Sequence, residues 1–320
     1  MSSAEPNADG PRAIPQGNQV QPNVSSEYVT LPPVQPNHPK VAVVGHVEWV
    51  TFARVAHIPH AGEIVHADAP FEEPAGGGAV AAVQLARLAG EAVLVTALGD
   101  DEHGHRSVER LAELGVHVWG PRRTAPTRTA VTLVDHARER TITTFGSRLE
   151  PVLDDGEIPW SELAQMDAVY FTAGDAGAMR AARAARVLVS SPRALHALGH
   201  GIPLDALVLS ADDADERREA TRAEQDARLV VFTEGGHGGT YRERDGDSGT
   251  WPAAELPGEP SDSYGCGDSF AAGLTYGLGT GLGVPDALAL AARCGAVCLT
   301  GHGPYQRQLS AADLGQARDG

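Results

Sequence analysis

From residue 41 onward, short apolar runs take turns with helical patterns along almost the whole chain. The runs fall at 41–45, 93–98, 168–172, 186–189, 206–209 and 229–233. A strand that is apolar at successive positions has no face to give to water, so both of its faces must be covered. The stretches between supply that cover: 79–88, 106–114, 178–185, 215–223, 269–278 and 286–299 read as helices,. This order predicts an α/β fold with one mostly parallel central sheet, flanked by helices on both faces. Ligands of such sheets sit beyond the carboxyl ends of the strands. Gly45, Gly99 and the glycine cluster at 235–239 fall there.

Two segments break the alternation. Residues 48–71 are β-like with few helix signals, and 127–145 read as a hairpin. Together they predict a small β lid over the mouth of the main domain, which would exclude water from the chemistry beneath. Residues 1–39, rich in Pro, Asn, Gln and Ser, lack the apolar side chains to offset ordering entropy and predict a disordered tail,. Residues 40–320 are then one domain.

Charge excludes some partners. The 25 basic residues against 42 acidic ones leave a net charge of −17, with no basic run. Such a chain repels nucleic acid and anionic membranes. There is no signal-peptide core and no run of membrane-spanning length, so a cytoplasmic protein is expected. Cys266, Cys294 and Cys298 match neither a disulfide framework nor a zinc spacing, and the last two are expected to share a buried helix face,. The 13 histidines follow no ligand pattern,. Arg140 and Arg193 could reach phosphate, yet surface arginines are common, and they are left out of the expected site.

The chemistry concentrates in Asp262-Ser263-Tyr264-Gly265-Cys266-Gly267-Asp268, which empties into the helical run at 269–278. The first N–H groups of a helix lack intrahelical partners, and the helix dipole adds positive potential there. Gly265 and Gly267 let the chain turn sharply and keep side chains clear. The result is a cradle of donors suited to a phosphate. Asp268 stands beside it, placed to take a proton from an attacking hydroxyl. A helix N-terminus also lowers a thiol's pKa, so Cys266 is expected to be reactive and to be shielded by a bound nucleotide.

On these residues the chain resembles the ribokinase-like, or PfkB-type, carbohydrate kinases, over about 40–303. The loop is similar to the family's Asp-Thr-x-Gly-Ala-Gly-Asp. Gly76-Gly77-Gly78, Gly99-Asp100-Asp101 with Gly104, Gly115-Val116, Pro126-Thr127, Glu139-Arg140-Thr141 and Thr233-x-Gly235-x-x-Gly238 follow the family's order. The resemblance implies ATP and Mg²⁺ as cofactors, with K⁺ held near Asp262 and the Tyr264 carbonyl. It implies Asp268 as catalytic base, with the amides of Gly265, Cys266 and Gly267 stabilising the transferred phosphoryl. Thr233, Gly235 and Gly238 would line the nucleotide site, and Gly76, Gly77 and Gly78 would approach the sugar. The family's phosphate- and Mg²⁺-associated Asn-x-x-Glu reads here as Ser210-Ala211-Asp212-Asp213, with Asp213 keeping the carboxylate and Ser210 a hydroxyl. Lids of this family pair between subunits, which allows a homodimer.

The acceptor side departs from the family. Val50 stands where a sugar-binding Asp is usual and Ala81 where Asn is frequent, so Glu48 is expected to take over hydroxyl binding,. Asp175, at a strand end, is a further candidate for acceptor contact, and Trp49 for stacking on a ring. The expected function is ATP-dependent phosphoryl transfer to a hydroxyl of a small sugar or sugar-like acceptor. A non-catalytic binding protein of the same fold, and a nucleoside or vitamin-precursor kinase, are the open alternatives.

Overall fold

The computed structural model describes residues 38–138 and 140–316, with Met1; the expected tail and residue 139 lie outside the described residues, apart from Met1, His38 and Pro39. In chain order the elements are β1 (Val41–Val44), β2 (Glu48–Arg54), β3 (Asp68–Ala75), α1 (Gly77–Ala89), β4 (Ala92–Val95), β5 (Leu98–Gly99) and α2 (Glu102–Glu113). Then come β6 (Val116–Trp119), β7 (Arg122–Arg123), β8 (Thr129–Val134), β9 (Arg140–Phe145), β10 (Ala168–Phe171) and α3 (Ala176–Ala182). The remainder is β11 (Val187–Ser190), β12 (Leu204–Ser210), α4 (Ala214–Ala220), β13 (Ala227–Thr233), β14 (Gly239–Glu243), β15 (Ser248–Trp251), α5 (Cys266–Gly279), α6 (Val284–Leu299) and α7 (Ala311–Gln316).

Nine strands form the central sheet in the order β15-β14-β13-β12-β11-β10-β1-β4-β6. It is parallel from β6 through β13, and β14 and β15 add an antiparallel edge. Side-chain alternation explains why the strands are apolar throughout. Val41, Val43, Leu94, Tyr170, Val189, Val208 and Val231 share one buried cluster with α1, α5 and α6. Their neighbours Ala42, Val44, Val93, Phe171, Leu188, Leu207 and Val230 are just as buried but outside that cluster, on the opposite face. There α3 packs on β10 and α4 on β12. Cys294 and Cys298 lie on a buried face of α6, as the sequence predicts.

The chain leaves β1 toward β4 on one side and returns to β10 on the other. β1 and β10 therefore flank the switch point of the sheet, where a crevice opens beyond the strand ends. Close backbone approach closes its floor: a Cβ on Gly45 would lie 2.6 Å from Gly78 Cα, and one on Gly78 2.6 Å from the His46 carbonyl oxygen.

The two segments that break the alternation form one four-stranded sheet, ordered β3-β2-β8-β9. β3 with β2 and β8 with β9 are antiparallel, and the central seam β2–β8 is parallel, pairing Trp49 with Thr129 and Arg54 with Val134. Some boundaries differ from expectation. The run 93–98 is two strands, since Thr96 and Ala97 leave the main sheet. The helix expected at 215–223 starts and stops earlier, because Asp213 caps it by accepting from the Asp215 and Glu216 amides. Among the described residues no helix is long and apolar enough to cross a membrane.

Candidate active site

The turn before α5 is built as Gly265 suggests, whereas Gly267 lies inside α5 with no positive φ and open space where a Cβ would be. Gly265 has φ of 82°, and a Cβ there would meet Val80 Cγ1 at 2.9 Å, so a side chain is excluded both by backbone and by space,. Buried Asp262 staples the turn: one oxygen accepts from the Tyr264 amide at 2.8 Å, the other from the Gly303 amide at 3.0 Å. The Tyr264 hydroxyl accepts from the Gly76 amide at 3.2 Å, which ties this turn to the start of α1. The N-termini of α1 and α5 consequently face one cavity of about 500 Å³ at the switch point. Two helix starts aimed at one space favour an anion there.

Asp268, in the first turn of α5, lines this cavity with Gly76, Gly77 and Gly265. Its Oδ1 lies 2.9 Å from where a Gly77 Cβ would be, so Gly77 makes room for the carboxylate. Gly78 is buried behind them against the His46 backbone. The Cys266 amide points at the Ser263 carbonyl at 3.4 Å, inside the turn. The Cys266 thiol is not activated: the neighbouring Cys298 thiol and burial both push its pKa well up, against the expectation from the helix N-terminus.

The rest of the lining mixes arginines with carboxylates: Arg128, Arg140, Arg148, Arg193 and Arg218 stand among Glu48, Asp213, Asp215, Glu216 and Glu219. Glu48, at the start of the lid, is buried between His46 (3.5 Å) and Arg128 (3.2 Å). Burial alone would raise its pKa, but the hydrogen bond and charge of His46, with Arg128 and Arg148, bring it below the usual value. Arg140 and Arg148 line the same cavity. Arg140 also reaches down from β9 to donate to the Ser263 carbonyl (2.5 Å) and hydroxyl (3.1 Å). Arg193, half exposed after β11, pairs with Glu216 at 3.1 Å, and the charge of Asp268 is the main cause of its raised pKa. Arg140 and Arg193 are exposed, as the sequence suggests, yet both also line the cavity. Arg128 gave no sequence signal, because only the lid's register brings it to Glu48, and Arg148, after the last lid strand, pairs with Glu150 and donates to the Arg193 carbonyl. The buried Nδ1 of His46 and Nε of Arg128 have no protein partner.

The other expected residues distribute unevenly. Ser210 and Thr233 pair across β12 and β13 at their carboxyl ends. Gly235 (φ 54°) and Gly238 (φ 82°) shape the turn that follows, where the Glu234 amide donates to the Gly238 carbonyl at 2.8 Å. These four line the sheet rim outside the cavity. Asp213 reaches the cavity but spends Oδ1 capping α4. Glu216, three residues on, accepts from the Ser210 amide at 2.9 Å and lines the cavity too. The stretch Asp213-Ala214-Asp215-Glu216 thus places two carboxylates three residues apart at the cavity, with Asp rather than Asn at the first position. Asp175 caps α3, accepting from the Ala178 (2.7 Å) and Leu153 (3.1 Å) amides, and does not line the cavity. Trp49 is buried on the far side, stacked on His103 at 5.5 Å with Arg106 over its ring, so it offers no stacking surface to an acceptor.

Comparison with known proteins agrees with this geometry. The model of the pfkB family carbohydrate kinases matches residues 38–191 and 203–310. The ATP-dependent ribose-1-phosphate kinase of Halopiger xanaduensis is 31% identical over 277 residues, covering 81% of this chain and 91% of that protein. The ribokinase of Thermotoga maritima superposes with a TM-score of 0.69 at 19% identity, covering 88% of this chain and 100% of the other. Arabidopsis thaliana ribokinase, solved with ribose and ATP, superposes at 0.67 with 16% identity, covering 87% and 98%. With the loop, the lid and the parallel sheet all in the family's order, the chain belongs to the pfkB carbohydrate kinases and is an ATP-dependent sugar kinase.

Proposed function

We propose that the acceptor is a sugar that already carries a phosphate, of the ribose-1-phosphate kind, and that Asp268 is the base that activates its free hydroxyl. The observation that carries this reading is the cluster of arginines. In a chain of net charge −17, Arg128, Arg140, Arg148 and Arg193 converge on one cavity. Neutral sugars are read by hydroxyl-accepting carboxylates, and the usual Asp is Val50 here. An arginine fork suits a phosphate far better than a sugar hydroxyl. The Halopiger relative is named for such an acceptor.

Glu48, kept ionised by its neighbours, accepts hydrogen bonds from the ring hydroxyls, while Arg128 and Arg148 take the existing phosphate. Asp268 receives the proton of the attacking hydroxyl as the bond to the transferred phosphoryl forms. The amides of Gly267 and Asp268 at the start of α5, with the Arg193 guanidinium, stabilise the charge that develops on that group, while the Cys266 amide stays with the Ser263 carbonyl,. The lid strands exclude water. The ATP rim is Ser210, Thr233, Gly235 and Gly238.

Asp213 and Glu216 are hard oxygen donors beside that rim. Among the described residues no group of three or more His, Cys, Asp or Glu side chains is arranged to hold a metal. That fits Mg²⁺, which binds through one or two carboxylates and substrate phosphates and neutralises phosphate charge. K⁺ belongs to the same reading: each Asp262 oxygen keeps a lone pair beyond its amide bond. A homodimer through the lid is proposed on the free edges of β3 and β9, and sedimentation tests it.

The deciding assay supplies ATP with ribose-1-phosphate or with free ribose and follows by mass spectrometry the bisphosphate formed from the first and the monophosphate formed from the second. We expect kcat/KM at least about a hundredfold higher for the phosphorylated sugar, the worth of two charge-assisted contacts. Equal use of free ribose would overturn the proposal.

A further inference from the structure

Two thiols stand at the catalytic turn, and neither side chain takes part in the transfer described above. Cys266 opens α5, and Cys298 lies in the last turn of α6. Their side chains are close enough to influence one another's ionisation. A Cβ on Gly265, one residue before Cys266, would lie 3.7 Å from Cys298 Sγ. Both thiols also hold the same turn. Cys266 donates toward the Asp262 carbonyl at 3.9 Å and Cys298 to the Tyr264 carbonyl at 3.4 Å. Cys294, one turn earlier in α6, packs on Gly273 instead, so it serves as an internal control.

We propose that Cys266 and Cys298 close into a disulfide in the presence of an oxidised small thiol such as glutathione disulfide, and that this bond switches the kinase off. Cys266 is the half-exposed partner and reacts first. Its thiolate attacks one sulfur of the small disulfide, and one glutathione thiolate leaves. The Cys298 thiolate then attacks Cys266 Sγ and expels the second glutathione. Two protein thiols are oxidised, one glutathione disulfide is reduced to two thiols, and the two cysteine protons end on those thiols. The raised pKa of Cys266 makes the first exchange the slow one,.

The structural consequence is direct. Bonded sulfurs lie about 2.0 Å apart, well inside van der Waals contact. Closing that gap pulls the turn toward α6 and shifts the amides beside Asp268. A displacement of about 1 Å in a reacting site costs about a hundredfold in rate.

The test treats the full-length protein with glutathione disulfide, maps disulfides by non-reducing peptide mass spectrometry, and measures MgATP affinity by calorimetry and turnover with ATP and ribose-1-phosphate. We expect a 266–298 cross-link, at least about tenfold weaker MgATP binding, about a hundredfold loss of turnover, and recovery of both with dithiothreitol. Cys298→Ser should keep its affinity through the same treatment, with Cys298→Ala as the alternative if the serine variant misfolds. Cys294→Ser should still cross-link. Modification of Cys266 without a cross-link would overturn the proposal. So would a cross-link that leaves affinity unchanged, or equal loss in the Cys298 variants. Mapping and MgATP affinity do not depend on which sugar is the acceptor, so a wrong acceptor would show only as absent turnover.

Discussion

Asp268 Oδ1 occupies the space that a methyl group on Gly77 would need, at 2.9 Å from the ideal Cβ position. The backbone of Gly77 sits in helix α1 and would accept alanine. The carboxylate, as the movable partner, would have to turn away. Gly77→Ala is therefore expected to fold with near-normal Tm yet lose at least about a hundredfold in kcat, close to what Asp268→Asn loses if the base is simply removed. Full activity in Gly77→Ala would separate the carboxylate's position from its role.

Glu48 sets a pH limit. Its lowered pKa means that its ionised form is favoured by the fold. That stability is fully present above the unfolded-chain value near ~4.3 and drains as pH falls through the lower folded value. Glu48→Gln should flatten the acid side of a plot of Tm against pH and cost about 1–3 kcal/mol at pH 7, since Arg128 and His46 lose their partner. An unchanged acid limb in the variant would show that other carboxylates govern it.

Arg193 bridges Glu216 and the field of Asp268. Arg193→Gln is expected to lower kcat by about 10–1,000-fold with a smaller change in KM for the acceptor, the pattern of a contact used mainly in the transition state. A rise in KM alone would instead assign Arg193 to the sugar's own phosphate.

Gly265 carries both a left-handed backbone and a tight contact with Val80. Gly265→Ala should cost about 1–3 kcal/mol and displace the donors of α5. Urea melts and MgATP titration together check this: stability and affinity should fall in the same variant.

The legible parts were those in which one short segment carries the whole signal. The glycine turn ending at Asp268 and the apolar runs of the parallel sheet are of that kind. The lid segments were legible as β, but the parallel seam between β2 and β8 was not, since nothing local pairs Trp49 with Thr129. The same seam hid Arg128, which becomes a partner of Glu48 only through that register. β14 and β15 escaped because edge strands alternate polar residues with small ones. Asp175 looked functional because a cap and a ligand both put a carboxylate at a strand end. Glu216 was passed over in a run of acids that reads as a helix start, where only the fold tells which carboxylate turns back to Ser210.

Arg140 fastens the roof of the cavity to the backbone of Ser263, while Glu48 and Arg128 stand at the opposite, rooted end of the same sheet. Any displacement of β9 would therefore break a contact with the turn before α5, while the Glu48–Arg128 pair at the other end of the sheet does not depend on that contact. One arginine thus joins the outer strand of the small sheet to the loop that leads into α5, so the two parts of the molecule are mechanically connected at that point.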